Sequence, residues 1–264
     1  MGQAQDLLTS WGVGSWQEVT SDHVRNLQIA FGQEVSPSTL RRRLSALRSL
    51  LKFLRKIGRG ADGDLPTASG IKLPKRLPKA LSEQEIEVLM ASPDLASPLG
   101  IRDRCLMELI FGAGLRISEV CQLGVADAVA STGLLRILGK RGKVRVVPLP
   151  GQTSEWVEIY LRDSRPKLVK KASSHLFLGA RGGPLSRQSA FLILDSHREQ
   201  AGLPGPLSPH TLRHTYAVTL LTGGADLRVV QELLGHSSID TTQVYTQLDL
   251  EKVRVSYRKA HPRK

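Results

Sequence analysis

Apolar positions recur at helical spacing through most of this chain, in two blocks separated by a stretch with no pattern. In the first block Leu40, Leu44, Leu47, Leu51 and Leu54 fall three and four apart, which lines one face of an α-helix. Ser36 ahead of Pro37 supplies a cap and a first-turn residue, so that helix is expected to open there. Residues 1–33 are weakly patterned: Trp11 and Trp16 flank a glycine-containing turn, and a short helix is expected over 21–31. The run RGADGDLPTASGIKLPKRLPK, 59–79, breaks every periodicity and reads as a linker.

The pattern restarts at Leu81, where Ser82 and Glu85 have capping-box spacing ahead of Ile86, Leu89 and Met90. Helices are expected over 101–111, stopped by Gly112-Ala113-Gly114, and from about Arg116, carrying Val120, Cys121 and Leu123. β-rich runs replace helical spacing once. LLRIL (134–138) and VRVV (144–147), joined by Gly139-Lys140-Arg141-Gly142-Lys143, read as a β-hairpin. Helical spacing returns over 156–162, 186–201 and 207–248, and a short helix with a basic tail closes the chain over 250–264. The sum is a mainly α protein with a small β-sheet. Its expected domains are a helical one over 1–70, a linker over 71–80 and a mostly helical one over 81–264.

Composition narrows the class. A chain of 264 residues can bury two modest cores, and a formal charge of +13 with pI near 10.1 favours a polyanionic partner. Nucleic acid ranks first and an anionic membrane second, against a merely basic soluble protein. From Ser36 to Gly60 there are eight basic residues and no acidic one, with Arg41, Arg48, Lys52, Arg55 and Lys56 off the leucine stripe. A solvated face usually mixes signs, so this one suits a DNA backbone. Lys72, Lys75, Arg76 and Lys79 lie in the linker, within reach of phosphates.

No apolar run approaches the roughly 18–20 residues that span a bilayer, and the first residues lack the layout of a secretory signal. Membrane insertion is not expected. Cys105 and Cys121 sit in apolar helical patterns and read as thiols buried in a reducing cytoplasm. No P-loop, GxGxxG, HExxH or CxxC occurs, so no nucleotide, zinc or other cofactor is expected.

Residues 207–248 concentrate the chemistry: His210, Arg213, His214, His236 and Tyr245, with a Gly223-Gly224 break and a Leu-Gly-His turn. Cations, imidazoles and a phenol without a carboxylate or cysteine cluster point to work on a phosphate. A phenol ionises near pH 10, so a tyrosine nucleophile needs a base or a strong positive field. Arginines suit the transition state, because their planar fork matches non-bridging phosphate oxygens. A lysine can protonate a leaving oxygen. Upstream, Arg116 in GAGLRISE and either Lys140 or Lys143 in the hairpin could complete such a set. A lone arginine at a helix start is ordinarily structural, and His214, Tyr160 and Tyr216 read as packing residues.

GAGLRISE, the LGK-x-GK hairpin, HTLRH, QELLGH and TTQVYT, in that order across 81 to about 250, resemble the tyrosine recombinases of the lambda-integrase type. Within that family, SWQEVTSDHVRN, LSALRSLLKFL, RLPKALS and KAHPRK look most like the XerC/XerD group. The resemblance implies a SAM-like helical DNA-binding domain followed by a catalytic domain. It implies that Arg116 and Arg213 clamp the scissile phosphate and that Tyr245 forms a 3′-phosphotyrosyl link. Lys140, whose 24-residue offset from Arg116 fits the family's lysine better than Lys143, would protonate the 5′ hydroxyl. His210 would take the tyrosine proton or hold the phosphate, His236 would bind a non-bridging oxygen, and Glu119 would orient its neighbours.

The implied partners are a double-stranded recombination site, a tetramer with copies of itself or a second recombinase, and a septal DNA translocase. The implied role is resolution of chromosome dimers. Rivals are a mobile-element integrase, a type IB topoisomerase, and a DNA-binding accessory protein without catalysis. The family's domain usually opens with a further helix before the segment matching Trp16, and this chain is expected to lack most of it.

Overall fold

The structure is a computed structural model describing residues 2–33, 35–60, 80–129, 133–139, 144–235 and 260. The chain divides into two compact units, 1–77 and 78–264, with the division inside the Gly- and Pro-rich run.

The first unit is helical. α1 (Gly2–Ser10) buries only Ala4 and Leu8, α2 (Ser21–Gly32) buries Val24, Leu27 and Phe31, and α3 (Pro37–Lys56) buries Leu44, Leu47 and Leu51. Together with Val13 and Val19 these residues form one core. α1 is a helix where residues 1–33 gave little pattern; nine residues with two buried positions are too short for a periodic signal. α3 opens as expected, with the Ser36 hydroxyl accepting the Thr39 N–H and Pro37 in the first turn. Its leucine stripe faces the core, with Leu40 and Leu54 half-buried at the ends. Arg41, Arg48, Lys52 and Lys56 are exposed, and Arg55 is half-buried.

The second unit is organised around α5 (Pro98–Gly112), in which every residue from Arg102 to Gly112 is buried. It starts three residues before the periodic pattern because Ser97 caps it and Pro98 fits its first turn. A helix buried all round must pair its charges internally. Arg104 binds Glu108 at 2.8 Å and lies over the Trp156 ring, while Arg102 binds Asp103 at 2.6 Å. Asp103 also meets His197 Nε2 at 3.2 Å, and His197 Nδ1 meets Ser92 Oγ at 3.0 Å. That chain ties α5 to α9 (Arg187–Gln200) and to the end of α4 (Glu83–Ala91). α4 carries the expected capping box, Ser82 N–H to Glu85 at 2.7 Å and Glu85 N–H to Ser82 at 3.2 Å.

α6 (Ile117–Gln122) leads into a three-stranded antiparallel sheet in the order β1-β2-β3. β2 (Leu134–Leu138) and β3 (Val144–Pro148) are the expected hairpin strands, in the register Leu135↔Val147 and Ile137↔Arg145. β1 (Ala128–Val129) adds a third strand whose two residues carry no alternation to read. α7 (Gly151–Ile159) begins before its apolar spacing does, and continues through a π-helical turn, Tyr160–Ser164, into α8 (Arg165–Leu168). The widened turn precedes Pro166, which has no N–H for the helical ladder. α10 (Pro209–Thr222), capped by Ser208, packs on α5, and α11 (Leu227–Leu234) follows the Gly223-Gly224 break.

Among the described residues no helix is long and apolar enough to cross a membrane. Cys105 and Cys121 are buried thiols, and burial raises both, Cys121 to about 11, which keeps them protonated and unreactive. The expected linker lies largely outside the described residues, and the expected helix over 250–264 lies outside them except for Ala260.

Candidate active site

The turn after α5 sets the site. Gly114 has φ +63, and a Cβ there would collide with the Tyr216 ring of α10, so backbone and ring approach as only glycine allows. This turn brings Arg116 to the N-cap of α6. Its backbone N–H donates to Glu119 Oε2 at 2.8 Å, and its Nη1 donates to Glu119 Oε1 at 3.0 Å. The remaining Nη2 donates to the Gly235 carbonyl at 3.2 Å. The Arg116 side chain stays 43% exposed, while that of Glu119 is 7% exposed.

Glu119 is the hub. From β3, Arg145 binds it with both ends of its fork, Nη1 to Oε1 at 2.7 Å and Nη2 to Oε2 at 2.9 Å. Burial acts to raise the Glu119 carboxyl. The hydrogen bonds and charge of Arg145 and the bonds from Arg116 outweigh burial, so the group is held below the ordinary carboxylate value.

Arg213 approaches from α10, with its side chain only 8% exposed. Its Nη1 donates to the Gly114 carbonyl and lies 3.8 Å from Glu119 Oε2, while its Nη2 donates to the Leu234 carbonyl. Burial first, then the charge of Arg116, lowers Arg213 to about 10, with Glu119 pulling the other way. It therefore remains protonated at neutral pH. Three guanidiniums surround one carboxylate, leaving a surplus of two positive charges under a partly exposed arginine. That surplus suits an oxyanion with more than one oxygen, a phosphodiester above all.

Arg116 and Arg213, expected to act together, are thus brought together, and Glu119 lies against both. His210 is exposed in the first turn of α10, three residues before Arg213 and on the same face. Lys140, His236 and Tyr245 lie outside the described residues, as does Lys143. The backbone entering His236 is described: two arginines grip the carbonyls of Leu234 and Gly235, and Gly235 has φ +64. Tyr160 and Tyr216 are fully buried, and burial raises their phenols far above the ordinary value, so neither can readily ionise. Sequence reasoning missed Arg145. Its signal was modest, a single charge in the apolar strand VRVVP, opposite the buried Ile137.

Comparison with known proteins places the chain in a family. The model of the phage integrase family matches residues 79–252, and that of the phage integrase N-terminal SAM-like domain matches 3–58. The tyrosine recombinase XerD of Corynebacterium glutamicum is 43% identical over 267 residues, covering 98% of this chain and 88% of that protein. The tyrosine recombinase XerC of Halalkalibacterium halodurans is 40% identical over 265 residues, covering 98% and 88%. Among solved structures, the XerH site-specific recombinase in a post-cleavage complex with palindromic difH substrate matches with TM-score 0.70 at 24% identity, over 90% of this chain and 72% of that one. XerA recombinase matches with TM-score 0.55 at 23% identity, over 99% and 90%. The helical fold with its small sheet, the arginine cluster and these relatives lead to one assignment: the chain belongs to the phage integrase family, as a tyrosine recombinase of XerC/XerD-like type.

Proposed function

We propose that the Arg116–Glu119–Arg213 cluster is the phosphate clamp of a DNA strand-transfer site whose nucleophile is Tyr245. The observation that carries this reading is the set of three guanidiniums, those of Arg116, Arg145 and Arg213, fixed around one buried carboxylate with a surplus of two positive charges, beside the Leu234 and Gly235 carbonyls that precede His236. The Tyr245 phenolic oxygen attacks the scissile phosphorus, forming the P–O(Tyr) bond as the P–O5′ bond breaks. His210 takes the phenol proton, Lys140 gives one to the departing 5′ oxygen, and His236 binds a non-bridging oxygen. Ligation reverses these steps with another strand's 5′ hydroxyl, so the phosphotyrosyl bond conserves the energy of the broken one.

The substrate in this reading is a double-stranded recombination site. Residues 81–264 form the catalytic domain, and residues 1–70, with the basic face of α3, track the DNA backbone across the linker at 71–80. The working assembly is a tetramer of this chain, with or without a second recombinase, acting on cytoplasmic DNA. Relatives at 40–44% identity across most of the chain are XerC and XerD proteins, which supports chromosome-dimer resolution, with a septal translocase as activator, over mobile-element integration.

A nicked suicide duplex bearing the target site tests the chemistry. The full chain should form an adduct that survives SDS, and Tyr245→Phe should abolish it. An adduct that persists in that variant sinks the assignment of the nucleophile. Footprinting around the replication terminus identifies the site, and accumulation of chromosome dimers after deletion tests the role.

A further inference from the structure

Arg145 is the only member of the cluster supplied by the sheet, and the chemistry proposed above assigns it no step. Its two terminal nitrogens are spent on the two oxygens of Glu119, at 2.7 and 2.9 Å. Its Nε is buried and has no hydrogen-bond partner among the described residues, a cost tolerated where the remaining contacts fix the group in place. The guanidinium also packs close to Gly235, where a Cβ would come within 3.2 Å of Cζ and Nε.

Arg145 therefore touches both things that Arg116 touches, the Glu119 carboxylate and the Gly235 turn. Arg116 is much the more exposed of the two, 43% against 16%. A long side chain on the surface loses little by swinging away from a single partner. With both oxygens of Glu119 anchored from beneath by a rigid fork, the carboxylate cannot rotate, and Arg116 is offered one fixed geometry. The same packing fixes the height of the turn that leads into His236.

We propose that Arg145 is a positioning residue for strand cleavage: it locks Glu119 and the Gly235 turn, and through them aims Arg116 at the scissile phosphate. The inference rests on the recombinase reading above. It sets Arg145 apart from Arg116 and Arg213, because both ends of its fork meet the two oxygens of one carboxylate, so its charge is paired with Glu119. Lysine does not take its place, because a single ammonium cannot reproduce the planar two-nitrogen fork that fixes the orientation of the carboxylate.

The experiment is single-turnover cleavage of the suicide duplex by the full chain, with duplex affinity and thermal melting measured alongside. The set comprises wild type, Arg145→Gln, Arg145→Lys, Glu119→Gln and the double variant Arg145→Gln/Glu119→Gln. Arg145→Gln should slow adduct formation about 10- to 100-fold, the scale of misaligned reacting groups, with duplex affinity changed less than about threefold. Arg145→Lys should recover little of the rate even where it restores the melting temperature. The double variant should be less impaired than the product of the single losses, because Glu119 without Arg145 is a buried carboxylate short of a partner.

The acid limb of the rate should also move to higher pH in Arg145→Gln. The charges facing Glu119 are Arg116 from α6, Arg145 from β3 and Arg213 from α10, and Arg145 is the strongest of those that hold its carboxyl down. A wild type that forms no adduct overturns the recombinase reading and this proposal with it. A wild-type adduct whose rate Arg145→Gln matches overturns this proposal alone. So does a loss that follows the melting temperature and that Arg145→Lys fully restores.

Discussion

Arg116 and Arg213 carry the same charge and sit in opposite surroundings, and their substitution should separate accordingly. Arg213 spends its fork on the Gly114 and Leu234 carbonyls as well as facing Glu119. Arg213→Lys keeps a charge and loses the fork, so cleavage should fall about 100- to 1000-fold while duplex binding holds. Single-turnover rates beside a binding titration read that split. Gly114→Ala adds a Cβ into the Tyr216 ring at φ +63, a backbone and packing conflict expected to cost about 2–4 kcal/mol in denaturant unfolding. Acid stability follows Glu119. Its folded carboxyl is depressed, so its contribution is complete above the unfolded value near 4.5 and is lost as pH falls through the lower folded value. Glu119→Gln should flatten that part of the acid unfolding curve. At this scale Arg116 and Arg213 were legible because their neighbours GAGLRISE and HTLRH are distinctive. Arg145 was not, since its meaning lies in partners 26 and 90 residues away, at Glu119 and Gly235.

Elements were legible where a long periodic face met a cap. α3 has a leucine stripe fifteen residues long, Leu40 to Leu54, behind Ser36-Pro37, and β2 and β3 are β-rich runs on either side of a glycine-containing segment. α1 and β1 were not, because two buried residues in one and two residues in all in the other leave no period to detect. The turn at Tyr160–Ser164 is set by packing, as the Ser164 hydroxyl donates to the Pro98 carbonyl at 2.6 Å across to α5. The link between α5 and α9 gives a test at this scale. His197→Ala removes one partner each from Asp103 and Ser92, and should destabilise the protein by about 1–3 kcal/mol. Melting should drop by about 2–4 °C per kcal/mol for a unit of this size, with the cleavage rate per folded molecule unchanged.

For the whole molecule, charge makes the broadest statement. A net +13 should make duplex binding fall steeply with salt, by about a thousandfold or more between 50 and 200 mM if at least six phosphates are neutralised. The slope of log affinity against log salt reads that number directly. Exposed Arg41, Arg48, Lys52 and Lys56 on α3 should each lower the slope when changed to glutamine, without slowing cleavage at saturating enzyme. Two units were readable from the break at 59–79, since a run of glycine and proline buries nothing.

The carboxylate shared by three arginines also bears on how such a chain can change over generations. Glu119 balances groups from α6, β3 and α10, so its loss leaves three like charges converging without a counterweight. A change at any one of the four positions alone alters the charge balance that the other three share. A lineage that abandons Glu119 must first find another neutraliser in the same place, or surrender the strand's arginine before the helix's carboxylate. Positions 116, 119, 145 and 213, spread over almost a hundred residues of sequence, are thus expected to change together, which an alignment of related chains checks.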